Sequence, residues 1–560
     1  MVVSASSERA SHAATTFYPP AISPEFLRVE SSIQALSTAI HLIQRQCQSY
    51  QTNSYDVVLA EKDRARVFTH LSTLLTTGSP SGRQTVAVTG GSSHNGFFIN
   101  ATENVVAQEH AYHGSSRPKV VEILPSNKTL KQLAEPRRSS SRIPFPEHAG
   151  DVLQALRLAS QDRQGTDHRL LECFVIRRCH REIIRRLKSA LDLSNPPLHD
   201  VLAKWDLQNG DHINEEWFPI AYPKIFIESS RIPYRPIAHC PDKFELLFNR
   251  HTLDLWKNFF VSLIRVVIDA LSGPRPERRA NVTDIVLALH FLRLFLVFGP
   301  AREILQVRSL ESRLESLLQP PACGPQDGTT TESILRAWTA IVAHTTAVAS
   351  LTARNGTVMS ILRQSLPKVH IFQTSMPATP KPTMESIPRL MRCRILPALN
   401  LGPKRLVMAE SLISRHLFAA EFDGHVHCEA GMMGITCAFS HDAPQANLND
   451  PNQLNAFYSA FEGHSNTIGT TEPACQICYW LSEELQTPQG SFNLQASHER
   501  EVVPWTPPRF GIPLSVLNRL EVELMELLKD STERWIEHRL SNQDAVKMCL
   551  SDFTPGTSRL

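Results

Sequence analysis

Two short motifs restrict the folding of this chain more than any other feature. Cys475-Gln476-Ile477-Cys478 is the one pair among 11 cysteines at C-x-x-C spacing, and His427-Cys428-Glu429 starts 48 positions before it. A C-x-x-C at the opening of a helix sets two sulfurs within reach of one ion. The free N–H groups and the positive dipole end at that point favour the thiolate forms. If both motifs sit on helices and a strand-like run lies between them, the C-terminal part of the chain is an α/β structure. Bulk composition adds boundaries. Hydrophobic residues make up 42%, charged residues 20%, and 57 Lys+Arg nearly balance 55 Asp+Glu. That mixture excludes a largely disordered chain, a coiled coil, and attraction to nucleic acid or lipid by bulk charge alone.

At about 150 residues per domain, a chain of this length is expected to hold two to four domains. Residues 1–23, rich in Ser and Ala, lack a continuous apolar run. They are expected to be disordered and carry no secretory leader, so the chain reads as intracellular, cytoplasmic or nuclear. Residues 24–135 read as a helical N-terminal segment, with Phe26, Val29, Ile33, Leu36, Ile40 and Ile43 at helical spacing. A second helix is expected over about Val57–Leu75, then a hairpin or loop insert over Gln84–Asn100 around Gly90-Gly91. Residues 136–149, with Arg137-Arg138 and a Ser run, read as a linker.

Residues 150–372 are expected to be mostly helical, over Val152–Leu193 with an interruption, Leu253–Leu271, Val282–Phe298 and Ser333–Leu362. Val282–Phe298 is the greasiest window, but Asp284, His290 and Arg293 and a stop at Gly299-Pro300 mark a buried helix rather than a membrane span. The Pro-rich stretch 373–388 reads as the main domain boundary, 389–515 as a self-contained α/β unit, and 516–560 as a C-terminal helix and tail. Within 389–515, strand-like runs are expected at His416–Phe422, Asn466–Gly469, Ser491–Ala496 and Glu501–Trp505. Helices are expected at Glu429–Phe439 and Cys475–Leu485, and a last one at Pro513–Leu540.

The chemistry follows from the donors. One His from a second helix would complete three protein ligands, His427, Cys475 and Cys478, and leave a fourth tetrahedral position for water, as in a catalytic zinc site. Zinc lowers the pKa of bound water to about 7. Glu429, two residues after the imidazole, would stand beside that water and move protons to a leaving amine. Other readings remain open at this point. The two cysteines could be buried small residues at a helix start, or part of a structural zinc site with His425 or Cys428 as fourth ligand, and Glu429 could be an ordinary solvated residue. A redox role is disfavoured because no small βαβ unit opens on the C-x-x-C.

The order H-x-E, strand-like run, then C-x-x-C is the zinc-deaminase signature. His425-Val426-His427-Cys428-Glu429-Ala430-Gly431, followed by Thr467-Ile468-Gly469-Thr470-Thr471-Glu472-Pro473-Ala474-Cys475-Gln476-Ile477-Cys478, resembles the cytidine deaminase-like superfamily. Within it the segment is most similar to the OTT-type deaminase-like family of fungi, in which an Ile-Gly turn precedes the C-x-x-C and a His and a Pro-Trp strand follow. Ile468-Gly469, His498 and Pro504-Trp505 match that pattern. Two departures sit beside the motif: Ala474 separates Pro473 from Cys475, and Thr470-Thr471-Glu472 stands where a Ser-Lys pair is typical. The resemblance covers about residues 390–515. It implies a three-layer α/β/α deaminase domain, zinc held by His427, Cys475 and Cys478, and Glu429 as proton shuttle. The implied reaction is hydrolytic deamination of a nucleobase in a nucleotide or single-stranded nucleic acid.

The competing expectation is a non-catalytic scaffold with structural zinc, whose helical region binds a protein partner. No membrane association is expected under either. Several other features read more simply. His180-Arg181-Glu182 also fits H-x-E but lies in a basic helix with no C-x-x-C nearby. The Arg177, Arg181 and Arg185 face of that helix could track phosphates, and reads better as a solvated surface. His498, Trp505, Tyr479 and Trp480 read as packing residues. The polar connector His441–Gly463 reads as a lid or a disordered insert.

Overall fold

The structure is a computed structural model. It describes residues 14–16, 23–46, 62–78, 85–93, 96–103, 119–136, 143–162, 166–220, 222–237, 240–272, 282–317, 330–353, 368–373, 386–417, 426–440, 466–471, 474–487, 490–494 and 502–551. Strands are numbered in chain order: β1 Ala14–Thr16, β2 Val86–Ser93, β3 Gly96–Glu103, β4 Lys119–Ile123, β5 Glu216–Ile220, β6 Tyr234–Ile237, β7 Cys240–Phe248, β8 Lys368–Gln373, β9 Thr467–Thr470, β10 Gln486–Thr487, β11 Gly490–Ser491 and β12 Asn493–Leu494.

Seven of these strands form one mixed sheet in the order β1-β4-β8-β3-β2-β9-β12. β2 and β3 pair as an antiparallel hairpin, Val86 opposite Glu103 and Ser93 opposite Gly96, with Gly90 and Gly91 inside β2 opposite Ile99 and Phe98. β2 then pairs antiparallel with β9, Ala87 opposite Thr470 and Val88 opposite Gly469, so the two partners lie 381 positions apart in the chain. β9 and β12 are parallel. Their connection contains the helix Gln476–Glu484, as a parallel pair requires a crossover.

The two-residue period of the strands sorts side chains between two cores. Val86 and Val88 of β2, with Ile99 and Ala101 of β3, join the helix Lys62–Leu75 through Phe68, Leu71, Leu74 and Leu75. That core continues through the helices Phe145–Gln161, Thr166–Leu191, Leu253–Ser272, Thr283–Phe298 and Thr330–Ile341. Ala87, between the two valines, faces the opposite core with Ile468. There lie the helices Pro24–Gln46, Cys428–Ser440, Gln476–Glu484 and Leu514–Ser551. Helices therefore cover both faces of the sheet, an α/β architecture. Each fully buried Val, Leu or Ile contributes about 1.5–3 kcal/mol, so the amphipathic strands hold the layers in register. An ion pair from Arg28 to Glu521 at 3.2 Å also joins the first and last long helices, and Arg509, in the segment leading into the last helix, pairs with the buried Glu30 at 2.9 Å. Among the described residues no single helix is long and apolar enough to cross a membrane.

Most expected helices are present, including both motif-bearing ones, but the boundaries between domains change. The unit expected at 389–515 is not self-contained: β9 draws β2 and β3 from residues 86–103 into its sheet. The linker expected at 136–149 already contains the buried start of the helix Phe145–Gln161, and β1 falls within the segment 1–23 expected to be disordered. The helical region 150–372 also holds the three-stranded antiparallel sheet β5-β7-β6 and ends in β8.

Two expected strands differ. His416 ends the helix Pro403–His416 rather than opening a strand, and residues 418–422 lie outside the described residues. Residues 502–505 form no more than a single bridge at Trp505, because backbone donors there go to side chains of the first helix. Val502 N–H donates to Gln44 Oε1 at 3.1 Å and Trp505 N–H to Ser37 Oγ at 3.1 Å. The connector 441–463 lies outside the described residues.

Candidate metal centre

His427 stands immediately before the helix Cys428–Ser440, and its carbonyl accepts the first-turn N–H of Gly431 at 2.9 Å. Cys475 is the extended N-cap of the helix Gln476–Glu484, and its carbonyl accepts the N–H of Tyr479 at 3.0 Å. Both motifs therefore begin helices, and the two helix starts face each other. His427 Nδ1 lies 3.3 Å from Cys475 Sγ and 3.5 Å from Cys478 Sγ. The three ligand atoms are all within 4.8 Å of one another and could hold a metal ion. No other such group of His, Cys, Asp and Glu occurs among the described residues.

The surroundings explain why the two helices meet. The first helix is buried all round from Cys428 to Cys437, and Ile477, Cys478 and Leu481 bury the inner side of the second. Between them β9 turns Ile468 into the same core. On its other face a Cβ at Gly469 would lie 2.2 Å from Thr69 N and 2.3 Å from Phe68 C, so only glycine lets the strand press against the helix Lys62–Leu75. Gly511, at φ +70°, does the same beside Gly434, where a Cβ would come 1.7 Å from the Gly434 carbonyl oxygen.

Electrostatics at the centre favour one ionised thiol. Burial opposes ionisation of Cys475, but a hydrogen bond with Cys478 and the neighbouring His427 bring its thiol well below the ordinary value. Burial and the adjacent Cys475 push Cys478 the other way. The indole N–H of Trp505 lies beside Cys478 and favours its thiolate, though it falls short of full hydrogen-bond geometry. Glu429 is 6% exposed, and burial raises its carboxyl pKa against the pull of His427.

Of the residues expected at the site, His427, Cys475, Cys478 and Glu429 are brought together. Cys428 is not part of the donor group; its buried thiol meets Glu429 and Thr85 instead. His425 and His498 lie outside the described residues. Trp505 is fully buried, and Trp480 packs on the same core. The second H-x-E is structural: Glu182 pairs with Arg185 at 2.6 Å and Arg186 at 2.7 Å, inside the helical core. On the face expected to be solvated, Arg181 is exposed and Arg177 and Arg185 are half-buried, whereas on the inward side Arg178 pairs with the buried Asp151 at 2.6 Å and Arg186 donates to the Ala340 carbonyl at 2.9 Å. Thr85 was not foreseen; it precedes β2, far from either motif, and no sequence signal links it to them. No protein-family model, no curated protein and no solved structure matches the chain.

Proposed function

We propose that this chain is a zinc-dependent hydrolytic deaminase acting on a nucleobase, carried by a nucleotide or by single-stranded nucleic acid. The convergence of one imidazole and two thiols at facing helix starts, beside a buried carboxylate, carries this reading. The donor set fits zinc. Bonds of about 2.0–2.1 Å to nitrogen and about 2.3 Å to sulfur at tetrahedral angles separate N from S by about 3.6 Å. The separations here are 3.3 and 3.5 Å. Two sulfurs and an imidazole suit zinc over the harder cations, and three protein ligands, the number found among the described residues, match the complement of a catalytic site. When bound, zinc supplies a water acidified to a pKa near 7.

The chain's own contribution is Glu429. Burial raises the Glu429 pKa, so this carboxyl holds a proton more readily than an exposed one, as a group that accepts and returns a proton must. It would take the proton of the attacking water and hand it to the departing amine nitrogen, so that ammonia leaves. The placement of both motif helices on one face of a sheet covered on both faces agrees with the deaminase-like resemblance.

The test is a zinc assay paired with ammonia release from nucleosides, nucleotides and single-stranded DNA or RNA. The purified full chain should carry one zinc. Glu429→Gln should keep the metal and lose about 10²–10⁴-fold in rate. Absence of stoichiometric zinc, or an unchanged rate in Glu429→Gln, overturns the reading. Zinc without ammonia release from any of these substrates would leave a scaffold with structural zinc.

A further inference from the structure

A proton-shuttling carboxylate works best when one of its oxygens is held, leaving the other aimed at the reacting atoms; partners behind functional groups commonly supply that restraint. Cys428 supplies such a partner here. Its Sγ lies 3.4 Å from Glu429 Oε2 and 3.5 Å from Thr85 Oγ1, and the residue is 2% exposed. Consecutive residues of a helix do not ordinarily face each other, so this contact is not a by-product of helical spacing. It depends on Thr85, which reaches the sulfur from the residue before β2.

The hydrogens can be assigned. A carboxylate oxygen only accepts, and a thiol has one hydrogen to donate. Both contacts are satisfied when the Thr85 hydroxyl donates to Sγ and the S–H donates to Oε2. We propose that Cys428 is a positioning residue for Glu429, orienting its carboxylate through an S–H···Oε2 hydrogen bond whose direction Thr85 sets. This rests on the deaminase reading only in giving the carboxylate a proton to carry; the hydrogen bond itself does not.

Two measurements on the zinc-loaded full chain separate those questions. The first is the infrared S–H stretch. A band lost in Cys428→Ala, or in Cys428→Ser should the alanine variant not fold, belongs to this thiol. In the native protein it should lie at the lowered frequency of a donating S–H, and in Glu429→Ala it should move up to the free position. A band at the same frequency with and without the Glu429 side chain overturns the proposal, whether or not any substrate is turned over.

The second is steady-state ammonia release. Cys428→Ala should lower kcat by about tenfold, the small end of the range for such supporting partners, with KM unchanged. Cys428→Ser, which keeps a donor, should recover most of that loss. Equal kcat for native protein and Cys428→Ala, or no recovery in Cys428→Ser, also overturns it. A shifted S–H band with no ammonia from any substrate would sink the deaminase reading and leave the contact standing.

Discussion

At the scale of single residues, the centre is shaped as much by what is missing as by its donors. Gly469 has no side chain because the backbone of Phe68 and Thr69 occupies the space where a Cβ would sit. Backbone cannot swing aside as a flexible side chain can. Gly469→Ala should therefore cost about 3 kcal/mol or more, at or above the usual range for overpacking. The expected outcome is a lower denaturant midpoint together with loss of bound zinc, because β9 carries the chain into the C-x-x-C loop. A midpoint equal to that of the native protein would mean that the strand and helix separate easily. The three donors were legible beforehand, since Cys475 and Cys478 share a C-x-x-C and His427 belongs to the H-x-E before it. Thr85 was not, because nothing about a threonine before a hairpin shows which helix will later lie on it.

At the scale of elements, the helix Lys62–Leu75 ends on two buried histidines. His148 Nε2 lies 2.9 Å from the Leu74 carbonyl and His344 Nε2 lies 3.3 Å from that of Thr76, so each donates from Nε2 and each Nδ1 is left unpartnered. Burial first, then Arg178, lowers the His148 pKa from 6.5 to about 4; burial first, then Arg186, lowers that of His344 to about 3. Asp151 and Glu182 pull back only partly. A folded pKa below the unfolded one means that the contribution is complete above pH 6.5 and is lost as pH falls toward 4 and below. In that window each histidine removes about 1.4 kcal/mol per pH unit. Denaturation at pH 7.5 and 5.0 should show a large drop, and replacing both histidines with Gln should flatten it. An equal slope in the double variant would refute the assignment.

Other elements show where sequence patterns carried and where they failed. The helices Cys428–Ser440 and Gln476–Glu484 were legible because motif and apolar period coincide. The sheet β5-β7-β6 was hidden because Pro219 and Pro236 interrupt its strands. Those two prolines lie on the outer strands, where a missing donor is tolerated, and Pro241 sits at the start of the central strand β7, but the same residues erase the strand signal.

At the scale of the whole molecule, the sheet overrules the division suggested by the Pro-rich stretch. Composition marks breaks in the chain, whereas strand pairing between Val88 and Gly469 is a property of the folded state that no local window records. A fragment starting at residue 389 would lack β2, β3 and Thr85 and leave one edge of β9 with unpaired N–H and C=O groups. It should be insoluble or free of zinc when expressed alone, and co-expression with residues 1–388 should restore both solubility and metal. A soluble, zinc-loaded fragment 389–560 would show instead that the hairpin is dispensable.

The 381 positions between those paired residues also set a timetable for synthesis. At about 5–20 residues per second, the ribosome needs roughly 20–75 s after the hairpin emerges before its neighbour on that side exists. Throughout that interval one flank of β2 offers unpaired N–H and C=O groups to any passing strand. The nascent chain is therefore exposed to misassociation from the completion of β3 at Glu103 until β9 begins at Thr467, and slowing elongation there should harm the yield of folded protein more than slowing it at the end.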